Sequence, residues 1–576
     1  MKEGFRQSMA WLHTWSGLLV GWVLFLVFTA GTAAYFRDEI SFWMKPELHQ
    51  LSTGQVPQAQ ALEHAVALLQ RRGAGSPRWF ISLPTEREPA VRMSWSGAPP
   101  PPPAPGEKRQ RARFESATLD PASGNAITAP RATRGGEFFY RLHFDLHYMP
   151  ALWARWIVGV CAMFMLVAIV SGIVTHKRIF ADFFTFRARK GQRSWLDAHN
   201  ATAVLALPYH LMITYTGLVT LMFMYMPWGQ DAAYKNRGGN EAFLSEVFPS
   251  GGPRDAKPSG TAAALVPLVP LAPLLAQASA HWHGAPAGRV TVSLPNDARS
   301  TVSITRQEGR NLSSNQPSML FNGATGELVS TSGDVDKPAA ETRGVLYGLH
   351  IGRFANPLLR ALFFLSGLAG CLMVATGLLL WAVKERQKYA KVLKHGGRIG
   401  FGLRLVDGLN VGAIAGLPIA FGTYFWANRL LPVGLEARPA AEISWFFIAW
   451  GAAAVAGLAW PARRMWQVQL VLGAALFAGI PLLNALTTST HLGVSLREGL
   501  WAVAGFDLVC FALGAGLALA AWYVGRRKPV KKAAAAPAKA AAAPAKAPAA
   551  AGPTHSPAAP VVAVRSGGSP HPGLSA

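Results

Sequence analysis

Four histidines recur at matched positions along four apolar segments, and no other feature of the chain restricts its fold so tightly. His13, in Trp11-Leu12-His13, is separated from Gly31 by seventeen residues; His199, closing Trp195-Leu196-Asp197-Ala198-His199, is separated from Gly217 by the same number. Leu142-His143 is followed seven residues on by Pro150, and Leu349-His350 by Pro357. A hairpin of two membrane helices, copied once, accounts for all four, with a histidine of each copy near each membrane face. Imidazoles facing one another across a helix bundle are the donor set of a bis-histidine haem. The pattern therefore implies a membrane electron carrier or reductase.

At 576 residues the chain has room for several domains, but its apolar runs decide its class. Residues 15–35, 152–175, 201–224, 358–383, 405–427, 442–460, 467–486 and 500–524 each reach or approach the roughly 20 residues that cross a hydrocarbon core. The fold class expected is an α-helical integral membrane protein of about eight spans, with a four-helix haem core from the first four. Only Pro461 to Trp466 separates the sixth span from the seventh.

Basic residues orient the spans. Lys177, Arg178, Arg187, Arg189, Lys190 and Arg193 separate the second from the third, and Lys384, Arg386, Lys388, Lys391, Lys394 and Arg398 separate the fourth from the fifth. Arg463 and Arg464 lie between the sixth and seventh, and Arg526, Arg527, Lys528, Lys531 and Lys532 follow the last. Placing all of these in the cytoplasm puts both termini there and both long loops outside. The surplus of 55 Lys and Arg over 30 Asp and Glu is thus a topology signal and argues against nucleic acid as a partner.

Residues 1–36 read as an uncleaved first span, since the apolar run exceeds the roughly 7–15 residues of a signal peptide. Cys161, Cys371 and Cys510 all fall within expected spans, which excludes a disulfide framework. No Cys-x-x-Cys-His motif exists, so any haem is held without a covalent link: haem b, two per chain.

Two long outer loops, 37–149 and 225–349, repeat one order of elements. The first has a helix near Ala61–Arg72, strands near Arg78–Leu83, Ala90–Trp95 and Arg113–Leu119, and the turn Asp120–Asn125. The second has a helix near Leu268–Ala280, strands near Arg289–Leu294, Thr301–Gln307 and Ser318–Phe321, and the turn Asn322–Glu327. Two small α+β domains are expected, the first interrupted by the proline run Pro99–Pro103. Around them lie spans two and three with their basic loop (150–224), span four (350–384), a cytoplasmic loop (385–404) and spans five to eight (405–525). The tail 526–576, rich in Ala, Pro, Lys and Gly from Pro529 on, reads as disordered in the cytoplasm.

The repeat pairs His13 with His199 at the cytoplasmic face and His143 with His350 at the outer face, as ligands of two haem irons. Three further histidines are candidate cofactor-binding residues. His147 follows His143 by one helical turn, and either replaces it as ligand or bonds a propionate. His176 closes the second span and competes with His13 or His199. His210 is eleven residues into the third span, a depth of about 16 Å; it packs against haem, moves protons, or bonds a neighbouring helix carbonyl. Gly31, Gly172, Gly217 and Gly377 either let helices approach or leave room for a flat macrocycle. His281 and His283, flanking Trp282 at an expected strand edge, form a His-x-His pair that is either a metal site or solvated.

The chain has no Walker A sequence, no dinucleotide fingerprint and no His-Glu-x-x-His. Its electrons must then come from a membrane quinol or a separate cytoplasmic reductase. Asp407 and Asp507 show no obvious cationic partner in sequence, which leaves little for a transporter reading. A non-enzymatic alternative has the outer domains bind a peptide or protease, with the helices as anchor.

With these residues in view, the chain resembles the PepSY-associated transmembrane-helix family of bacterial iron-regulated membrane proteins. The likeness rests on Leu12-His13-Thr14-Trp15-Ser16-Gly17-Leu18, Ser171-Gly172-Ile173-Val174-Thr175-His176-Lys177, Phe183-Phe184-Thr185-Phe186-Arg187, Arg193-Ser194-Trp195-Leu196-Asp197-Ala198-His199-Asn200 and Leu207-Pro208-Tyr209-His210-Leu211-Met212. It covers about residues 5–390 and implies that both outer domains are PepSY-like. It also implies an inner-membrane location and, as in some members, a ferric-siderophore reductase with two haems. Its partners would be the lipid bilayer, a ferric siderophore or other ferric chelate, and the electron donor. Arg78, Trp79, Arg289 and the region of Trp282 are the expected exposed docking residues. The four extra spans and the Pro99–Pro103 insertion depart from the shortest family pattern.

Overall fold

The computed structural model describes residues 3–51, 56–97, 114–127, 130–176, 186–187, 190–248, 264–309, 311–333 and 337–526. The Pro99–Pro103 run, the tail from Pro529, and Lys177, Arg178 and Arg189 lie outside the described residues. Among the described residues, seven helices are long and apolar enough to cross a membrane: Gly4–Ala34, Ala151–Thr175, Pro357–Lys388, Phe401–Leu430, Arg438–Ala459, Arg463–Thr487 and Trp501–Arg526. An eighth crossing is made by a bent pair, Gln192–Leu205 and Leu207–Thr220, with 68° between its halves. The chain is a multi-pass α-helical membrane protein.

The bend corrects the expectation of one continuous third span over 201–224. Pro208 enters the second half-helix in its first turn. It has no backbone N–H to give the preceding helix, and its ring clashes with the carbonyl four residues back, so the helix breaks at Ala206. The break sets His199 and His210 on different half-helices. His143 and His350 likewise sit on short helices of their own, Glu137–Asp145 and Pro338–Ile351, ahead of the spans that begin at Ala151 and Pro357.

The two outer loops, expected as separate α+β domains, share one sheet. Strands β1 (Arg78–Ser82), β2 (Val91–Ser96) and β3 (Phe114–Leu119) come from the first loop. Strands β4 (Ala287–Ser293), β5 (Thr301–Arg306), β6 (Ser318–Asn322) and β7 (Leu328–Ser332) come from the second. The order is β3-β2-β1-β4-β5-β6-β7, antiparallel throughout, and β1 meets its own copy β4 at the centre with Phe80 opposite Thr291. Two separate three-stranded units would leave the edges of β1 and β4 open; antiparallel pairing of these equivalent edges closes both at once. β7 extends one end only.

Alternation then fixes the layers. Trp79, Ile81, Met93, Trp95, Val290, Val292, Val302, Ile304, Met319 and Phe321 point to one face, where helices Gln58–Arg72 and Leu271–His281 cover them. Trp79 and Trp282, expected as exposed docking residues, are therefore buried in this core. The two closing turns are built alike. Gly124 N–H donates to the Asp120 carbonyl and Gly326 N–H to the Asn322 carbonyl, both at 2.9 Å, and both glycines take positive φ, +69° and +82°.

The last four spans pack against the first and fourth through an aromatic and aliphatic cluster that includes Phe25, Ala375, Phe421, Phe425 and Phe446. Asp407 and Asp507 both have partners here, contrary to expectation. Arg386 pairs with Asp407. Asp507 accepts from Trp43 Nε1 and Asn484 Nδ2, each at 2.9 Å, and Arg429 donates to Asn484 Oδ1 at 3.1 Å. Their partners lie hundreds of residues away or on another helix, beyond what local spacing reveals.

Candidate cofactor sites

His13 and His199 face each other with ring centres 6.1 Å apart, and His143 and His350 face each other at 6.0 Å. The pairs lie towards opposite ends of the bundle, the second beneath the sheet. A metal–nitrogen bond of about 2.0 Å, plus about 1.1 Å from nitrogen to ring centre, would place two axial imidazoles about 6.2 Å apart. The observed spacings leave room for one iron between each pair.

Each ring is held by its Nδ1. His13 Nδ1 donates to the Ala168 carbonyl at 2.8 Å, His143 Nδ1 to Val27 at 2.7 Å and His199 Nδ1 to Met373 at 2.9 Å. His350 Nδ1 lies 3.1 Å from Thr216 Oγ1, whose own hydroxyl donates to the Met212 carbonyl, so the threonine oxygen accepts. His350 is also held by the Ile213 backbone. A proton fixed on Nδ1 leaves the Nε2 lone pair for a metal, and the bond raises its basicity.

The carbonyls explain the glycines. Ala168, Val27, Met373 and Ile213 each stand four residues before Gly172, Gly31, Gly377 and Gly217. A Cβ on those glycines would meet His13 at 3.0 Å, His143 at 2.7 Å, His199 at 3.2 Å and His350 at 2.9 Å. The missing side chain bares the helix surface so that the imidazole can lie on it and reach the carbonyl one turn back. The glycines thus make room for the imidazole rings, a use the apolar spacing alone did not reveal.

A cavity of about 320 Å³ adjoins His143 and His350, and one of about 400 Å³ adjoins His13 and His199. Burial holds the His143 imidazole below its ordinary range. Burial and then the facing His143 hold His350 down to about 3. Burial thus favours the neutral imidazole at both positions, the form that ligates. Among the described residues no group of three or more His, Cys, Asp or Glu side chains comes together as a metal site. Two imidazoles alone would not complete a metal's coordination, and a macrocycle such as porphyrin would supply the other donors. Paired rings, bared glycine surfaces and adjoining cavities fit haem on these grounds.

The other candidates fall differently. His147 is turned away: its helix ends at Asp145, and Leu146, His147 and Tyr148 all take positive φ. Its ring stacks on Phe447, with centres 5.5 Å apart, so it shares no face with His143. His176 does line the cavity of His13 and His199, and its Nε2 accepts from Asn200 Nδ2 at 2.8 Å. His210 lines the same cavity, fully buried, with its ring edge-on to Phe28 at 6.1 Å. Phe28 and Tyr209 line the other cavity, so these three rings occupy the space between the two. His281 ends a helix and His283 follows it at φ 54°, so neither stands at a strand edge.

Four arginines at the sheet-side cavity were not legible in the sequence: Arg37, Arg87, Arg155 and Arg353. Each already has a carboxylate, respectively Glu137 at 3.4 Å, Glu39 at 2.7 Å, Asp145 at 2.8 Å and Glu308. They come from four separate stretches of chain, and no spacing rule joins them.

Comparison with known proteins gives two matches. The model of a family described as the PepSY-associated TM region matches residues 10–384. An uncharacterised protein of Pseudomonas aeruginosa is 25% identical over 396 residues, which is 65% of this chain and 91% of that protein.

Proposed function

This chain belongs to the PepSY-associated TM family, and from that premise we propose that it is a di-haem b-type electron-transfer protein of the bacterial inner membrane. In this reading it passes electrons to ferric chelates, ferric siderophores foremost, on the side of the sheet. One observation carries the proposal: two imidazole pairs at 6.1 and 6.0 Å, with all four Nδ1 atoms engaged and a glycine beneath each ring. Haem at each pair would supply a one-electron centre.

The chain's own residues do the rest. The carbonyls of Ala168, Val27, Met373 and Ile213 orient the imidazoles and keep the proton off Nε2. Arg37, Arg87, Arg155 and Arg353 offer cations to acidic substituents of a cofactor in the sheet-side cavity. On the far side, Lys384 lines the cavity and can do likewise, beside the polar side chains of His176 and Asn200. Phe28, His210 and Tyr209 fill the interval between the sites with packed rings.

Reduction would release iron because Fe(II) is softer than Fe(III) and binds hard oxygen donors less tightly. The donor would be a membrane quinol or a cytoplasmic reductase. Both termini would be cytoplasmic and the sheet periplasmic, by the placement of basic residues. Stopped-flow mixing of dithionite-reduced protein with ferric citrate and, separately, a ferric trihydroxamate, each with an Fe(II) indicator, tests the activity. Haem reoxidation with matching Fe(II) release supports it. Haem that stays reduced removes the reductase reading.

A further inference from the structure

A third cavity, apart from both histidine pairs, lies between β3 and the start of the span Arg438–Ala459. Its volume is about 970 Å³, and Lys45, Arg72, Arg131, Arg134 and His147 line it. No carboxylate appears among its described lining residues. The acids closest in charge to Lys45 are all engaged: Glu47 with Arg131 at 2.8 Å, Glu88 with Arg92 at 2.5 Å, and Glu442 with Arg438. Among the described residues no carboxylate comes within ion-pair distance of Lys45, Arg72 or Arg134. Three cations without an ion pair among the described residues, around one chamber lined by no described carboxylate, give it a positive potential. The arginines of the sheet-side histidine cavity differ, since each is already paired.

We propose that this chamber is the docking site for an anionic, carboxylate-bearing ferric chelate, held by Lys45, Arg72 and Arg134. The inference rests on the reductase reading and names its substrate class. Size supports it: small-molecule sites run to about 300–1,000 Å³, and the 320 Å³ cavity of His143 and His350 is committed to their cofactor. Position supports it too. His147 lines the chamber four residues after His143, a length of chain that spans at most about 14 Å. A chelate beside His147 is therefore close to the sheet-side histidine pair without entering its cavity. Burial, and then Arg92, holds the Lys45 ammonium below its ordinary range against the opposing pull of Glu88, Glu47 and Glu442.

Equilibrium dialysis of the full chain in nanodiscs against redox-inert gallium(III) citrate tests the site, with a neutral gallium(III) trihydroxamate as control. The wild type should retain the citrate complex in preference to the control, more weakly as salt rises. Arg72 and Arg134 are exposed, so the double charge reversal Arg72→Glu/Arg134→Glu should fold; it should weaken retention at least tenfold and leave the absorption spectrum unchanged. Unchanged retention in that variant overturns the proposal. Stoichiometric phosphatidylglycerol that copurifies with wild type, but not with the variant, and blocks citrate overturns it in favour of a lipid site. Fe(III) reduction without gallium citrate binding sinks the chamber alone, whereas protein without haem sinks the reductase reading and leaves chelate binding to be judged separately.

Discussion

A Cβ on Gly31 would stand 2.7 Å from both Nδ1 and Cε1 of His143, so the imidazole occupies the place a side chain would take. The ring reaches the Val27 carbonyl only because that turn of the first span is bare. Repeated at Gly172, Gly217 and Gly377, this arrangement makes each membrane helix of the duplicated core the seat of another element's histidine.

Gly31→Ala should therefore displace His143. The variant is expected to retain one haem per chain in place of two, measured by pyridine haemochrome against protein. Gly377→Ala is expected to retain both, because its Cβ would meet His199 only at 3.2 Å, a gap that a few tenths of an ångström relieve. Equal loss in both variants would mean that glycine acts through helix packing and not through the ring.

His147 and His143 should separate cleanly. His143→Ala is expected to remove one haem, whereas His147→Ala should leave both, since that ring stacks on Phe447 beyond the end of the helix. Loss of a haem on His147→Ala would contradict the placement.

The first outer loop is tied to the last spans through His49. Its Nε2 donates to the Phe42 carbonyl at 2.9 Å and its Nδ1 accepts from Thr490 Oγ1 at 2.6 Å. Burial lowers its pKa to about 4, so the folded state resists a proton that the unfolded chain takes up near 6.5. Stability is then full above about pH 6.5 and falls as pH drops towards 4, by roughly 3 kcal/mol at the limit. Unfolding midpoints of wild type and His49→Gln, followed from pH 7.5 to 4, should converge as the pH falls. Parallel curves would dismiss the contribution.

Arg438 and Glu442 are both fully buried and paired, and Glu442 also accepts from Thr133 at 2.5 Å and Asn428 at 2.8 Å. Arg438→Ala strands the carboxylate, at a cost of about 3–5 kcal/mol. The denaturant midpoint should drop accordingly, and no change would mean that water reaches Glu442.

Much of the architecture was legible because it repeats. The matched intervals from His13 to Gly31 and from His199 to Gly217 set the order of spans, and the two outer loops announced their helices, strands and turns. What stayed hidden depends on contacts across long stretches of chain. Pairing of β1 with β4 joins two loops that read as separate domains, and it buries Trp79. Pro208 bends the third crossing, although its flanks are apolar enough for a straight helix. His147 has the right spacing for His143's face, but three consecutive positive φ values defeat helical periodicity. The basic chamber draws Lys45, Arg72 and Arg134 from separate segments, so no local pattern marks it.

The most direct test is the absorption spectrum and haem content of the purified full chain, before and after dithionite. The account predicts two b-type haems per chain, low-spin in both redox states, with a sharpened α-band and a shifted Soret band on reduction. His13→Ala should remove one of them and leave the other. A protein that binds no haem when purified from haem-replete cells, or whose spectrum dithionite does not change, would contradict the account.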